Sequence, residues 1–153
     1  VMLQLHRNDP PLESSQIPRI FRSTESFRKS VRICNRSPAA GILFCVGTWG
    51  EMPGPDGTGE DVAAALRELV ADNRVRQLHF RNVSSPLPQF TETFPGEGYL
   101  DLPALVRILA EQDFDGMLVP DHVPKSGIED RYASFTEAYC LGYLRSLMNV
   151  YRE

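Results

Sequence analysis

Residues Gly41 to Ala71 read "GILFCVGTWGEMPGPDGTGEDVAAALRELVA". A short apolar run, Ile42 to Val46, gives way to a loop rich in Gly and Pro. A helical pattern follows near Glu60–Ala71, in which Val62, Leu66, Leu69 and Val70 recur on one face. A buried strand, a long loop and an amphipathic helix in this order make one βα unit.

The same order recurs on both sides of that stretch, without repeating the sequence. An apolar run at Met2–Leu5 precedes a helix around Glu25–Ile33. A run at Gln77–Val83 precedes a helix that starts at Asp101, a good N-cap, with Pro103 in the first turn and Leu102, Leu105, Val106 and Leu109 facing inward. A run at Gly116–Val119 precedes a helix of about Ser134–Tyr151, whose apolar side carries Phe135, Tyr139, Leu144, Leu147 and Met148. Strands alternating with helices imply a parallel α/β sheet. Four βα units make either a small open sheet or the second half of a (β/α)8 TIM-type barrel, which typically needs about 250 residues. Loops after the strands are long and loops after the helices short, as when a barrel carries its chemistry at the strand C-terminal ends. Residues 1–153 are expected to form a single domain.

Composition is that of an ordinary globular chain, 42% hydrophobic and 24% charged, with a net charge of -4. Lys and Arg are scattered, which disfavours nucleic acid and anionic membranes as partners. No apolar run approaches the ~20 residues of a membrane span. Three cysteines, Cys34, Cys45 and Cys140, are too few and too odd a set for a disulfide framework, and suit a reducing cytoplasm. The chain opens at Val1 with a strand already under way, and a fragment of a longer protein is expected.

The rare residues fall at matching places. His6 ends the first strand in "LQLHRNDPP", Cys45 ends the second, His79 lies in "LHFRN" of the third, and Asp121 and His122 follow the fourth in "VPDH". Taken singly, each also reads as structural: a hydrogen-bonded strand-end His, a small buried Cys, a turn-capping Asp, a solvated loop His. Jointly they bring all three histidines of the chain to one edge of a parallel sheet. A mixed N/S/O set of this kind suits a divalent transition metal.

With these residues placed, "LHRNDPP", "LFCVGTWG", "LHFRNV", "FTETFPGEGYLDLPALVRIL" and "VPDH", in this order and spacing, resemble the second half of mannonate dehydratase, a family of xylose-isomerase-like TIM barrels. The resemblance implies dehydration of D-mannonate to 2-keto-3-deoxy-D-gluconate in cytoplasmic hexuronate catabolism, with a divalent metal, Mn2+ above all and Fe2+ or Co2+ as alternatives. It places the metal ligands on His6, Cys45, His79 and Asp121, catalytic roles on His122 and Tyr132, and substrate contact on Arg81 and Asn82. It implies a small sugar acid as the partner molecule, with a homo-oligomer or association with a missing N-terminal half. Departures from the family pattern are Arg7-Asn8 after the first His, Phe94-Pro95 in the "F-x-E" loop, and Val123-Pro124 after "PDH". A sugar isomerase or epimerase of the same superfamily is the competing enzyme reading; such enzymes favour carboxylate-rich metal sets with a Glu at a strand end. An inactive metal-binding half-barrel is the non-enzymatic one.

Overall fold

The structure is a computed structural model. It describes residues 1–11, 13, 16, 17, 19–35, 37–52, 54, 61–125 and 133–151, the side chains of 133 and 134 excepted. Four parallel strands form its main sheet in the order β1 (Leu3–Leu5), β2 (Ala40–Cys45), β3 (Val75–Phe80) and β6 (Met117–Pro120). The order follows the sequence, so the chain always advances the same way across the sheet. Right-handed crossovers then put the helices on one face, as in a barrel wall and unlike a doubly wound sheet.

Those helices are α1 (Thr24–Ile33), α3 (Val62–Ala71), α4 (Leu102–Glu111) and α5 (Ala133–Val150). Each described start is capped by the residue its sequence supplies. Ser23 forms a capping box with Ser26, Asp61 accepts from the Ala64 N–H, and Asp101 accepts from the Ala104 N–H. The covered face of the sheet contributes Ile42, Phe44, Val75, Leu78 and Phe80 to the core. They pack with Phe27 and Val31 of α1, Leu66 and Leu69 of α3, Leu105 and Leu109 of α4, and Leu144 of α5. Each such side chain contributes about 1.5–3 kcal/mol of hydrophobic stabilisation.

Three features differ from the sequence reading. The "GTWG" stretch forms a short helix, α2 (Val46–Gly50), directly after β2. It carries Trp49 into a run of stacked rings with Phe44 (4.1 Å), Phe27 (4.9 Å) and then Phe21. The run expected at Gln77–Val83 breaks at Arg81: β3 ends at Phe80, and β4 (Asn82–Val83) pairs antiparallel with β5 (Glu92–Thr93) in a separate two-stranded sheet. On α5, Leu144 is buried and Leu147 and Met148 pack against the core, but Phe135 is 70% exposed and Tyr139 51%. Tyr139 meets Phe94 edge-to-face at 5.2 Å. The start of α5 thus lies over the loop after β3 instead of over the sheet.

The pairing of β2 with β3 contains one irregularity. Ile42 lies opposite Val75, but Leu43 lies opposite Gln77, so Arg76 is an extra residue. Beyond it Phe44 faces Leu78 and Cys45 faces His79.

Candidate metal centre

His6 lies one residue past β1, Cys45 ends β2, His79 is the penultimate residue of β3, and Asp121 directly follows β6. Because the strands are parallel and neighbouring, these four positions converge at one end of the sheet. One ligand atom from each of His6, Cys45 and His79 lies within 4.8 Å of the others. Asp121 Oδ2 is 3.1 Å from His79 Nδ1 and 3.9 Å from Cys45 Sγ.

The donor set fits a metal ion. His6 Nδ1 lies 2.6 Å from the Arg7 carbonyl, which fixes its proton there and leaves Nε2 as a ligand. The buried Nδ1 of His79 makes no hydrogen bond, with Asp121 Oδ2 3.1 Å away, and an ion bound between them would give that orphaned nitrogen a partner. Burial alone pushes the Cys45 thiol up, but the adjacent His6 and His79 imidazoles, the Arg81 charge and the Thr48 hydroxyl outweigh it and hold the thiol at about 6. The sulfur in turn raises His6 above the usual imidazole value.

Behind the ligands sits a buried charge network that the sequence reading did not find. The Arg81 side chain is 1% exposed. Its Nη2 lies 2.8 Å from Asp9 Oδ2, 3.0 Å from Thr48 Oγ1 and 2.6 Å from Glu51 Oε1. Its Nη1 lies 2.6 Å from Glu92 Oε1, and Nε donates to Cys45 Sγ at 3.4 Å. Burial pulls the guanidinium down, yet the charges of Cys45, Glu51 and Asp9 push it above its ordinary range, so it stays charged. Glu51 has no exposed surface, and its burial pushes the carboxyl up to about 7 against the pull of Arg81. Gly47 makes room for all this: a Cβ there would sit 2.6 Å from Arg81 Cγ.

His122 stands beside the ligands at φ 42°, a left-handed conformation in which His is enriched. Its Nδ1 is 2.9 Å from Glu92 Oε1, and its Nε2 is 3.5 Å from Asp9 Oδ2 and 3.7 Å from Asp121 Oδ2. Partial burial lowers its pKa, but the Glu92 contact and the Asp121 and Asp9 charges raise it above the ordinary value. Asn82 is fully buried. Its amide donates to the carbonyls of Pro95 and Leu100 and accepts from the N–H groups of Val83 and Leu100, which uses its full bonding capacity within the protein. Tyr132 lies outside the described residues. Of the residues that depart from the family pattern, Arg7 turns away from the ligands to lie 4.7 Å over the Trp49 ring, and Asn8 accepts from the Phe21 N–H.

A family model described as D-mannonate dehydratase (UxuA) matches residues 1–153. The chain belongs to the D-mannonate dehydratase family. It is 30% identical to the mannonate dehydratase of Geobacillus thermodenitrificans (strain NG80-2), an alignment that covers all of this chain and 42% of that protein. The crystal structure of mannonate dehydratase from Streptococcus suis serotype 2 superposes with a TM-score of 0.86 at 28% identity, over 99% of this chain and 43% of that one. A xylose isomerase-like TIM barrel protein from Mycobacterium smegmatis, solved in complex with magnesium, is similar in fold alone, with a TM-score of 0.72 at 11% identity. The fold is therefore part of a xylose-isomerase-like TIM barrel. The chain spans less than half the length of these mannonate dehydratase relatives.

Proposed function

We propose that this chain carries the metal-binding and proton-transferring half of a dehydratase that converts D-mannonate to 2-keto-3-deoxy-D-gluconate. The observation that carries the reading is the cluster of His6, Cys45 and His79, with Asp121 beside the latter two and His122 alongside. These four residues would hold the ion, Mn2+ by preference with Fe2+ or Co2+ as substitutes. When bound it supplies Lewis-acid charge beside the substrate's carboxylate and hydroxyl oxygens.

The reaction removes the C2 proton and the C3 hydroxide of the sugar acid, and the enol so formed becomes the 2-keto product. Two groups must move protons at these carbons. His122 is one, beside Asp121 and with 44% of its side chain exposed. Tyr132 is the second, by the family resemblance. Arg81 and Asn82, expected to touch substrate, are given supporting roles instead. Arg81 holds the acidic groups around His122, and Asn82 ties the segment Pro95–Leu100 to the end of β3.

The competent unit is proposed to be the barrel that this second half completes with a first half, or the assembly it forms with further copies. The proposed setting is cytoplasmic hexuronate breakdown, with which the three free thiols Cys34, Cys45 and Cys140 accord. No helix of the described residues is long and apolar enough to cross a membrane. The test is to load the chain with Mn2+, alone and with a first half of the barrel, and to incubate it with D-mannonate and separately with ketoses. Release of a 2-keto-3-deoxy acid from mannonate alone supports the reading. Unchanged mannonate in the completed, metal-loaded barrel overturns it. His122→Asn in that barrel is expected to keep its metal and lose turnover by roughly 100-fold or more, the scale of a lost general acid–base.

A further inference from the structure

His122 sits just past a strand end, on a loop, with 44% of its side chain exposed. An imidazole so placed would ordinarily sample several orientations and both neutral tautomers. Here one contact is much shorter than the rest. Nδ1 meets Glu92 Oε1 at 2.9 Å, whereas Nε2 lies 3.5 Å from Asp9 Oδ2 and 3.7 Å from Asp121 Oδ2.

Glu92 is itself immobilised. It stands on β5, whose pairing with β4 fixes it next to the end of β3. The same Oε1 lies 2.6 Å from Arg81 Nη1. Arg81 cannot swing, because its other nitrogens are engaged by Asp9, Thr48, Glu51 and Cys45 and its stem packs into the space Gly47 leaves. An ionised carboxylate only accepts hydrogen bonds. The nitrogen of His122 that faces it must therefore keep its proton, and the other nitrogen is left to exchange one.

We propose that Glu92 is a positioning residue that holds His122 in the Nδ1–H tautomer, with Arg81 as its anchor, so that Nε2, on the ligand side, is the atom that gives or takes the proton. This rests on the reading of His122 as a proton-transfer residue. Arg81 then links two parts of the site, since the guanidinium that fixes the orienting carboxylate also donates to the sulfur of Cys45. The angle of His122 and the position of that ligand are thereby set by the same side chain.

Histidine tautomers are read directly from the ring nitrogen shifts of a 15N-histidine-labelled chain. Only three histidines contribute, and His122→Asn assigns the third. The experiment uses the Zn2+-loaded chain, which is diamagnetic, at a pH where His122 is neutral. The parent is expected to show a protonated Nδ1 and a bare Nε2 at His122. Glu92→Ala is expected to move His122 to the Nε2–H form or to a mixture, with bound metal unchanged. Glu92→Gln, which still presents an oxygen to Nδ1, is expected to restore the parental pattern. In the completed barrel, Glu92→Ala should lower kcat on the order of 10–100-fold with KM little changed, the usual scale for a group that orients a functional side chain. A parental Nε2–H tautomer, or a Glu92→Ala chain with the parental pattern, overturns the proposal. The parental pattern lost in Glu92→Ala supports it even if neither protein dehydrates mannonate, an outcome that would count against the proposed reaction alone.

Discussion

Arg81→Met separates the energetic role of the buried network from its chemistry. The substitution keeps much of the side chain's volume and removes the one cation shared by three carboxylates. Asp9 and Glu92 retain 20% and 29% exposure and can regain water, but Glu51 has none to regain. The cost therefore falls mainly on Glu51, and removing one partner of a buried pair costs about 3–5 kcal/mol. Against a total stability of about 5–15 kcal/mol for a domain, that is a large fraction. The loss depends on pH with a definite sign. Burial already pushes folded Glu51 from its ordinary 4.5 up to about 7, and without Arg81 it rises further. An acid whose folded pKa is raised costs nothing while both states are protonated. Below about pH 7 folded Glu51 keeps its proton in parent and variant alike, so the extra cost of the substitution opens only above that, by about 1.4 kcal/mol for each further pH unit until the variant's own value is passed. At pH 8 up to about 1.4 kcal/mol is therefore expected on top of the unmade hydrogen bonds. Near pH 5 only the unmade hydrogen bonds remain, about 1–3 kcal/mol. Urea unfolding followed by the fluorescence of Trp49, the single, fully buried tryptophan, measures both, with a chelator present so that metal does not enter. Replacing Glu51 by Leu in the same chain should recover most of the loss at pH 8, because an apolar pair is no worse than a buried ionic one. A loss under about 1 kcal/mol at pH 8, or an equal loss at both pH values, would refute the reasoning.

Other outcomes follow from the same geometry. Cys45→Ala with His79→Ala is expected to abolish stoichiometric metal, and elemental analysis that finds the parental amount would remove both residues from the site. In the metal-free folded chain, Cys45 is expected to ionise near pH 6, since its four polar neighbours outweigh its burial, and the ultraviolet thiolate signal should vanish in Cys45→Ser. Its depressed folded value adds stability at alkaline pH that is lost as pH falls from about 9 through about 6. Trp49→Ala removes the centre of the ring stack and should cost about 3–5 kcal/mol in thermal or urea unfolding.

The sheet and the gathering of His and Cys at its strand ends were legible in the sequence because their signals are local. Strands show as short apolar runs, and His and Cys are rare enough that their recurrence at strand ends stands out. Asp101, read as an N-cap, caps α4 as expected. The charge network was not legible, for physical reasons that its residues make clear. Arg81 reaches Asp9, Glu51 and Glu92 across 72, 30 and 11 positions, and these are common residue types in loop-like sequence. Glu92 falls in no apolar run or helical pattern of the sequence, and only a two-residue pairing of its strand with β4 brings it beside His122. Gly47 looked like a flexible loop glycine and is instead a helical one, required by the arginine pressed against it. On α5 the periodicity was right, but periodicity does not say how far a helix runs past the sheet, and Phe135 and Tyr139 project beyond it.

The extra residue between Ile42 and Leu43 on one side and Val75 and Gln77 on the other acts as a parity bit. Side chains in a strand alternate faces, and residues opposite one another in neighbouring strands share a face. With Arg76 inserted, Val75 and Leu78 both join the core, Gln77 and His79 turn the other way, and Cys45 and His79 emerge together. In unbroken pairing from Ile42 and Val75, Cys45 would stand opposite Leu78 instead, and the sulfur and the imidazole would leave the sheet on opposite sides. That a sulfur and an imidazole share one face thus depends on a single residue that has no partner in β2.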